Sequence, residues 1–134
     1  MRVHGVSHIT FIVRDLDRMT TFLCDGLGAT EVYDNTAKNF LLAREKFFLL
    51  GDTWLAVLEG NPPAERSYQH LAFKVDEAHL SGFETKIRAL GVEIKAPRPR
   101  VAGEGQSLYF YDFDDHLFEL HTGTLEERLR NYGA

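Results

Sequence analysis

The sequence contains an internal repeat, and this repeat constrains the fold more than any other feature. In the first half, a strand-like segment that carries His8 precedes a helix-like segment that ends at Gly28; in the second half, His70 and Gly91 hold the same places. The spacing from His to Gly is 20 residues in the first half and 21 in the second. Each half continues with further strand-like segments, so each one has the pattern β-α-β-β-β. We therefore predict an α+β protein made of two βαβββ modules.

The boundaries of the modules follow from turn residues and from hydrophobic periodicity. We predict a single domain with module one at about residues 4–60, module two at about 66–123, and a C-terminal helix at about 124–132 that Thr124 caps. The segment Asn61-Pro62-Pro63 lies in the linker between the modules. The expected strands cover residues 5–13, 30–33, 40–42, 47–50 and 54–58 in module one, and 68–75, 92–95 and the two arms of a hairpin over 107–121 in module two.

Composition narrows the class of protein. The chain has 134 residues and a net charge of -5, which argues against general binding to nucleic acid. No apolar run is long enough to span a membrane. The single Cys24 excludes an internal disulfide and a cysteine-based zinc cluster. We expect a cytoplasmic protein without a nucleic-acid or membrane partner.

Glu119 is the chemically unusual residue of the hairpin. With a period of two, Leu117, Glu119 and His121 share one face of the second arm, and Phe118 and Leu120 share the other. A carboxylate among large apolar residues is costly to bury without a partner. It is therefore exposed, paired with a cation, or bound to a metal ion.

The repeat favours the metal alternative. His8 and His70 hold equivalent places in their modules, and alignment of the last strands puts Val57 opposite Glu119. Two imidazoles and one carboxylate suit Mn²⁺, Fe²⁺, Zn²⁺, Co²⁺ or Ni²⁺, and three protein ligands leave coordination positions open for catalysis. His121 shares the face of Glu119 and is a rival ligand.

Several longer motifs carry a resemblance to a known family. The segments HITFIV, YQHLAF and REKFFLL, and the ending GEGxSxYFYDFDxHLFELHxGTLEERL, resemble the vicinal oxygen chelate superfamily, which has the glyoxalase/bleomycin-resistance/dioxygenase-like fold. Within it the chain is similar to the epoxide-hydrolase branch of the fosfomycin resistance proteins. The resemblance implies an enzyme, dependent on Mn²⁺ or another divalent ion, that hydrolyses the epoxide of fosfomycin to an inactive diol. It also implies a homodimer in which modules pair between subunits into a cupped sheet, so that His8 reaches the metal from the partner chain.

The same resemblance assigns further roles. It implies that His8, His70 and Glu119 are the metal ligands and that Glu45 is the general base. It places Lys95, Arg98 and Arg100 around a loop where relatives have a cation near the substrate, without saying which of the three reaches it. The substrate contacts that it implies are Thr10, Trp54, Tyr68, Lys95, Ser107, Tyr109 and Arg128.

Two other functions stay open at this point. One is metal-dependent transfer of a thiol to fosfomycin, in which the nucleophile needs less help from a base. The other is a non-catalytic protein of the same fold that binds a small anionic drug without a metal. The physiological substrate and the native metal are not determined by the sequence.

Overall fold

The computed structural model describes residues 1–38 and 43–133 and divides into two compact units, Met1–Ala64 and Glu65–Ala134. The division falls in the linker that contains Asn61-Pro62-Pro63. The first unit has a four-stranded sheet and the second a three-stranded sheet, which confirms the predicted α+β class. None of the helices in the described ranges is long and apolar enough to cross a bilayer.

The first unit follows the predicted order of elements. The elements are β1 (His8–Val13), α1 (Leu16–Thr21), β2 (Thr30–Asp34), β3 (Glu45–Leu50) and β4 (Thr53–Glu59). The sheet has the strand order β1-β4-β3-β2, with β1 parallel to β4 and the other neighbours antiparallel. The predicted strand at Phe40–Leu42 lies outside the described residues.

The helix of the first unit begins and ends where the sequence predicts. The Asp15 side chain accepts a hydrogen bond from the backbone N–H of Arg18, which satisfies one of the free donors of the first turn. After α1 the chain widens into a π-helical turn at Phe22–Gly26, which the periodicity did not predict. Gly28 then adopts a φ of 77°, a conformation that favours glycine at the end of a helix. All five predicted apolar positions are buried: Leu16, Met19, Phe22, Leu23 and Leu27.

The second unit repeats the plan with one strand fewer. The elements are β5 (His70–Lys74), α2 (Leu80–Ala89), β6 (Ser107–Tyr111), β7 (Leu117–His121) and α3 (Leu125–Asn131). The sheet has the order β5-β7-β6, with β5 parallel to β7 and β6 antiparallel to β7.

The prediction of a full strand at Val92–Lys95 is wrong. Ile94 and Phe110 form an isolated bridge, and the backbone N–H of Lys95 donates to the carbonyl of Tyr109. Pro97 follows closely and has no N–H to donate, so the pairing cannot extend further along the chain.

The hairpin of β6 and β7 is confirmed, and its turn is fixed by one carboxylate. The side chain of Asp112 accepts hydrogen bonds from the backbone N–H groups of Asp114 and His116, each at 2.9 Å, and lies 2.7 Å from Nδ1 of His116. This turn sets the register of the hairpin, in which Tyr109 is opposite Glu119.

Strand pairing corrects the alignment of the two repeats by one residue. In the parallel pairs, Thr10 is opposite Ala56 in the first unit, and Ala72 is opposite Glu119 in the second. Ala56 therefore corresponds to Glu119, and Val57 faces the core. A slip of one residue moves a side chain to the other face of a sheet. Alanine cannot bind a metal either, so the number of expected protein ligands is unchanged.

Candidate metal and anion site

The carboxylate of Glu119 is the centre of the polar cluster in the second unit. Glu119 is 4% exposed and lies in the middle of β7. The hydroxyl of Ser107 donates to Oε2 at 2.5 Å, and Oε1 lies 3.0 Å from Nε2 of His70. The two carboxylate oxygens therefore have different partners, one of them a donor and the other an imidazole nitrogen.

The tautomer of His70 follows from its second contact. Nδ1 lies 2.7 Å from the backbone carbonyl oxygen of Tyr68, which can only accept, so Nδ1 carries the proton. In the neutral ring, Nε2 then presents a lone pair towards Oε1 of Glu119. Two acceptors in contact repel each other unless a cation or a proton lies between them. A His that binds a metal through one nitrogen commonly donates a hydrogen bond from the other nitrogen to a carbonyl, as Nδ1 of His70 does here.

This donor set fits a small divalent ion. Metal–ligand bonds of about 2.0–2.2 Å place two ligands at right angles about 3 Å apart, which matches the separation of Nε2 and Oε1. Across residues 1–38 and 43–133 of one chain, however, no group of three or more His, Cys, Asp or Glu side chains could hold a metal ion. His8, the third predicted ligand, belongs to the first unit, where it lies on β1.

His121 is engaged on both sides of its ring. Arg128 lies 3.2 Å from Nε2, and because a guanidinium has no acceptor, the arginine donates. Nδ1 therefore carries the proton and donates to the Ser107 hydroxyl at 2.7 Å. Burial, together with the charge of Arg128, lowers the pKa of His121, an effect that the nearby Glu119 opposes. With both nitrogens occupied, His121 supports the cluster in this structure, although the sequence presented it as a rival ligand.

A cavity of about 500 Å³ opens beside the pair formed by His70 and Glu119. It contains two guanidinium groups, those of Arg98 and Arg128. Burial raises the pKa of the Tyr109 hydroxyl, which keeps it protonated as a possible donor. The lining residues are Tyr68, His70, Ala72, Arg98, Tyr109, Glu119, His121, Gly123, Thr124, Leu125 and Arg128.

The two arginines of the cavity differ in their charge balance. Arg98 pairs with Glu104 at 3.1 Å, and this guanidinium, together with hydrogen bonds from the Val101 N–H and the Tyr132 hydroxyl, lowers the pKa of Glu104 to about 2. No carboxylate oxygen in the described part of the chain lies within ion-pair distance of Arg128. Arg128 therefore adds an unbalanced positive charge to the cavity, which favours an anionic ligand.

Two further predicted cations lie beside aromatic rings. Nζ of Lys95 is 5.1 Å from the ring centre of Tyr68, and the guanidinium carbon of Arg100 is 5.8 Å from that of Tyr109. Nη1 of Arg100 is buried and has no hydrogen-bond partner among the described residues. Of the three cations that the sequence left open, Arg98 is the one that lines the cavity.

The predicted functional residues of the first unit share one face of its sheet. His8 is opposite Trp54 in the pairing of β1 with β4, and their ring centres are 4.3 Å apart. The ring of Phe47 makes an edge contact with Trp54, with ring centres 5.1 Å apart, and Glu45 lies two residues earlier on the same strand face. Thr10, two residues after His8, is on this face as well.

Asn35 holds the backbone at Glu45, and sequence reasoning missed this role. Its side-chain oxygen accepts from the N–H of Glu45 at 2.8 Å, and its amide donates to the carbonyl of Ala43 at 3.2 Å. Asn35 is 1% exposed. The sequence indicated only a turn at Asp34-Asn35, because an Asn in a turn gives no sign of a long-range partner.

Glu104 is a second residue that was missed. Its carboxylate accepts from the backbone N–H of Val101 at 2.8 Å, from Arg98, and from the Tyr132 hydroxyl at 2.9 Å. Three donors on one carboxylate tie the loop that supplies Arg98 to the end of α3. Glycines on both sides of Glu104 were the available signal, since they allow the turn that buries it.

Comparison with known proteins agrees with this architecture. Residues 5–120 match the family model described as Glyoxalase/Bleomycin resistance protein/Dioxygenase superfamily. The fosfomycin resistance protein FosX of Mesorhizobium japonicum is 55% identical over 127 residues, which cover 95% of this chain and 91% of the relative. The metallothiol transferase FosB of Shouchella clausii is 39% identical over 136 residues, covering 97% and 88% respectively.

A solved structure extends the comparison to three dimensions. A substituted form of FosX from Listeria monocytogenes, complexed with Mn(II) and 1S,2S-dihydroxypropylphosphonic acid, superposes with a TM-score of 0.89 at 48% identity, covering 98% of this chain and 99% of the other. The chain therefore belongs to the glyoxalase/bleomycin resistance protein/dioxygenase superfamily and, within it, to the fosfomycin resistance proteins.

Proposed function

We propose that this protein is a Mn²⁺-dependent hydrolase that adds water to the epoxide of fosfomycin and gives an inactive diol. The observation that carries the proposal is the 3.0 Å contact between Nε2 of His70 and Oε1 of the buried Glu119, beside a cavity that contains the unbalanced charge of Arg128. Fosfomycin has the matching chemistry, because it joins an epoxide oxygen to an anionic phosphonate. A related FosX binds Mn(II) and a dihydroxypropylphosphonic acid, which has the composition of the hydrated product.

The ligands of the metal are His70, Glu119 and His8. When bound, a divalent ion acts as a Lewis acid that stabilises the negative charge developing on the epoxide oxygen. The protein's own part is to present the ligand atoms already oriented. Tyr68 fixes the ring of His70 through its carbonyl, and Ser107 fixes Glu119 through its hydroxyl.

Glu45 is the general base. Water attacks a ring carbon and forms a new C–O bond, and the bond from that carbon to the epoxide oxygen breaks. Glu45 removes one proton from the attacking water and later releases it to solvent, and solvent protonates the opened oxygen, so the product has the composition of fosfomycin plus water. No described residue forms a hydrogen bond or an ion pair with the Glu45 carboxylate, which leaves both oxygens able to accept.

The phosphonate is held by cations and hydroxyl donors. Arg128 uses one of its five N–H donors on His121 and retains the others for an anion. Arg98 lies in the same cavity with its charge balanced by Glu104, so it contributes donors with less net attraction. The remaining predicted contacts are Thr10, Trp54, Tyr68, Lys95, Ser107 and Tyr109.

The active form is a homodimer in which His8 of the partner subunit completes each metal site. This assignment accounts for the absence of a three-residue ligand group within the described part of one chain. We also place the enzyme in the cytoplasm, because a chain with one cysteine cannot form the internal disulfides typical of exported proteins.

The decisive experiment follows fosfomycin by ³¹P NMR with purified protein, without thiol, across a series of divalent metals. We expect diol to form with Mn²⁺ and no reaction after chelation. A requirement for added thiol would instead assign thiol transfer, the reaction for which the FosB relatives are named. Tight binding of the drug to metal-free protein without turnover would assign a sequestering protein.

A further inference from the structure

Two side chains, those of Ser107 and His121, connect Glu119 of the metal pair to the cavity arginine, Arg128. We propose that His121 is a positioning residue that orients Glu119 through Ser107 and holds Arg128 at its other nitrogen, so that the metal ligand and the anion-binding cation are set by one imidazole. The proposal rests on the proposed function for the identity of the metal ligands. It does not depend on which reaction the metal serves.

The direction of every proton along this chain of contacts is determined. Arg128 can only donate, so Nε2 of His121 accepts at 3.2 Å. Nδ1 then donates to the Ser107 oxygen at 2.7 Å, and the single Ser107 proton is left for Oε2 of Glu119 at 2.5 Å. The hydrogen bonds therefore all point the same way, from the guanidinium of Arg128 to the carboxylate of Glu119.

Strand register explains why these residues meet. Ser107 is directly opposite His121 in the antiparallel pair of β6 and β7, and Tyr109 is opposite Glu119. Opposite side chains on the same face of such a pair have Cβ atoms about 4.5–5.5 Å apart, within reach of a shared hydrogen bond. Ser107 is thus placed between the imidazole and the carboxylate by the backbone pairing itself.

The consequence for Glu119 is that one of its oxygens is committed. With Oε2 held by Ser107, Oε1 is the oxygen that faces His70. Without this donor, Oε2 loses its shortest hydrogen bond and keeps a longer contact with Nδ1 of His121, at 3.3 Å. Hydrogen-bond partners of metal ligands typically contribute 10–100-fold to metal affinity.

His121 has two arms: the contact of Nδ1 that leads to Ser107 and Glu119, and the contact of Nε2 with Arg128. Two substitutions test these arms separately. In His121→Asn the side-chain amide can donate from near the place of Nδ1, which preserves the arm to Ser107 and Glu119. In His121→Gln the amide oxygen can accept near the place of Nε2, which preserves the arm to Arg128. A purely structural role for the imidazole would make no distinction between the two variants.

The measurement is the affinity of the metal-free, full-length protein for Mn²⁺, from the EPR signal of the free ion. We expect His121→Gln and Ser107→Ala to lose about 10–100-fold in Mn²⁺ affinity. We expect His121→Asn to stay within about threefold of wild type, since the relevant donor is retained. Binding of inorganic phosphate to the Mn²⁺-loaded proteins should show the reverse order, with His121→Asn weakened more than His121→Gln.

The proposal is overturned if the Asn and Gln variants lose Mn²⁺ affinity equally, or if Ser107→Ala keeps wild-type affinity. His79→Asn is the matched control, because His79 is exposed at the start of α2 and its Asp76 contact is at 3.7 Å. Circular dichroism checks the fold of each variant, and Ser107→Ala tests the same arm should His121→Gln not fold. Diol formation by wild-type protein is a separate readout, so the proposed reaction can fail while this pattern of affinities stands.

Discussion

The carboxylate of Glu119 is buried in a strand whose other residues are mostly apolar, and this location determines what its neighbours must be. Burying a charge without a partner destabilises the folded protein by roughly several kcal/mol. Each carboxylate oxygen therefore requires a donor or a cation. Ser107 supplies a donor to one oxygen, and Nε2 of His70, which presents a lone pair when the ring is neutral, faces the other at 3.0 Å. The second contact is favourable with a cation present, which makes this pair of atoms the strongest physical argument for a metal.

Glu45 provides the residue-scale test of the mechanism. In Glu45→Gln the amide cannot take a proton from water, so the rate of diol formation should fall by roughly 10²–10⁴-fold. Mn²⁺ affinity should stay at the wild-type value, because Glu45 is not a proposed ligand. The rate comes from ³¹P NMR and the affinity from EPR of free Mn²⁺. Glu65→Gln, at an exposed position of the linker, is the matched control; hydration by Glu45→Gln at the control rate would remove Glu45 from the mechanism.

For single residues, sequence periodicity identified which side chains share a strand face. It could not show which hydrogen-bond partners those side chains have. It placed Glu119 and His121 on one face, and that placement agrees with their shared contact with Ser107. It could not establish that the nitrogens of His121 have other partners, because Arg128 reaches it from a helix that follows the strand. Asn35 was missed for a similar reason, since its partners lie across a connection of 8 and 10 residues.

At the scale of elements, Glu104 links the loop after Lys95 to α3. Hydrogen bonds from Arg98, the Val101 N–H and the Tyr132 hydroxyl lower the pKa of Glu104 from 4.5 to about 2 in the folded protein. A carboxyl group whose pKa is lower in the folded state stabilises that state above its unfolded pKa, and the contribution disappears as the pH falls through the folded pKa. The stabilisation should therefore be complete above pH 4.5 and vanish towards pH 2.

Glu104→Gln tests this linkage. The variant should unfold at lower urea concentration than wild type near pH 7, and the difference should shrink progressively as the pH is lowered from about 4.5. The measurement is urea unfolding at a series of pH values, with fluorescence as the probe. Glu126→Gln is the control on α3, because its side chain is 88% exposed. A difference between Glu104→Gln and wild type that is independent of pH would contradict the linkage.

The cap of α1 gives a second element-scale prediction. Asp15→Ala removes the acceptor for the N–H of Arg18 and should lower the free energy of unfolding by about 1 kcal/mol. Asp15→Asn keeps an oxygen in the same place and should retain most of the stability. Urea unfolding at neutral pH measures both. Equal losses in the two variants would show that the charge, and not the hydrogen bond, stabilises this helix.

Element order and helix ends could be predicted because each depends on local chemistry, such as Asp15, Gly28 or the Asp cluster after β6. Strand pairing depends on partners far away in the sequence, and there the predictions were weaker. The segment at Val92–Lys95 has a strand-like composition, yet it forms only one bridge because Pro97 follows it. The alignment of Val57 with Glu119 was wrong by one position, since similar apolar letters do not reveal which residues lie opposite each other.

At the scale of the whole molecule, the proposed catalytic groups are divided between the two units. The second unit holds His70, Glu119 and the cavity with Arg128, and the first holds His8 and Glu45 on one sheet face. Duplication of a βαβββ module accounts for this division, because equivalent strands present equivalent side chains. The division also makes the assignment of His8 to the partner subunit directly testable.

Mixed dimers provide that test. In a dimer of one His8→Ala chain and one Glu119→Gln chain, an exchange of His8 between subunits leaves one site with both defects and the other site intact. We therefore expect the purified mixed dimer, selected with two different affinity tags, to hydrolyse fosfomycin at about half the wild-type rate, while each variant alone is inactive. A mixed dimer of His70→Ala and Glu119→Gln is the control and should stay inactive, because both substitutions lie in the second unit and each site keeps one defect. If His8 served its own chain, the first mixed dimer would be as inactive as this control.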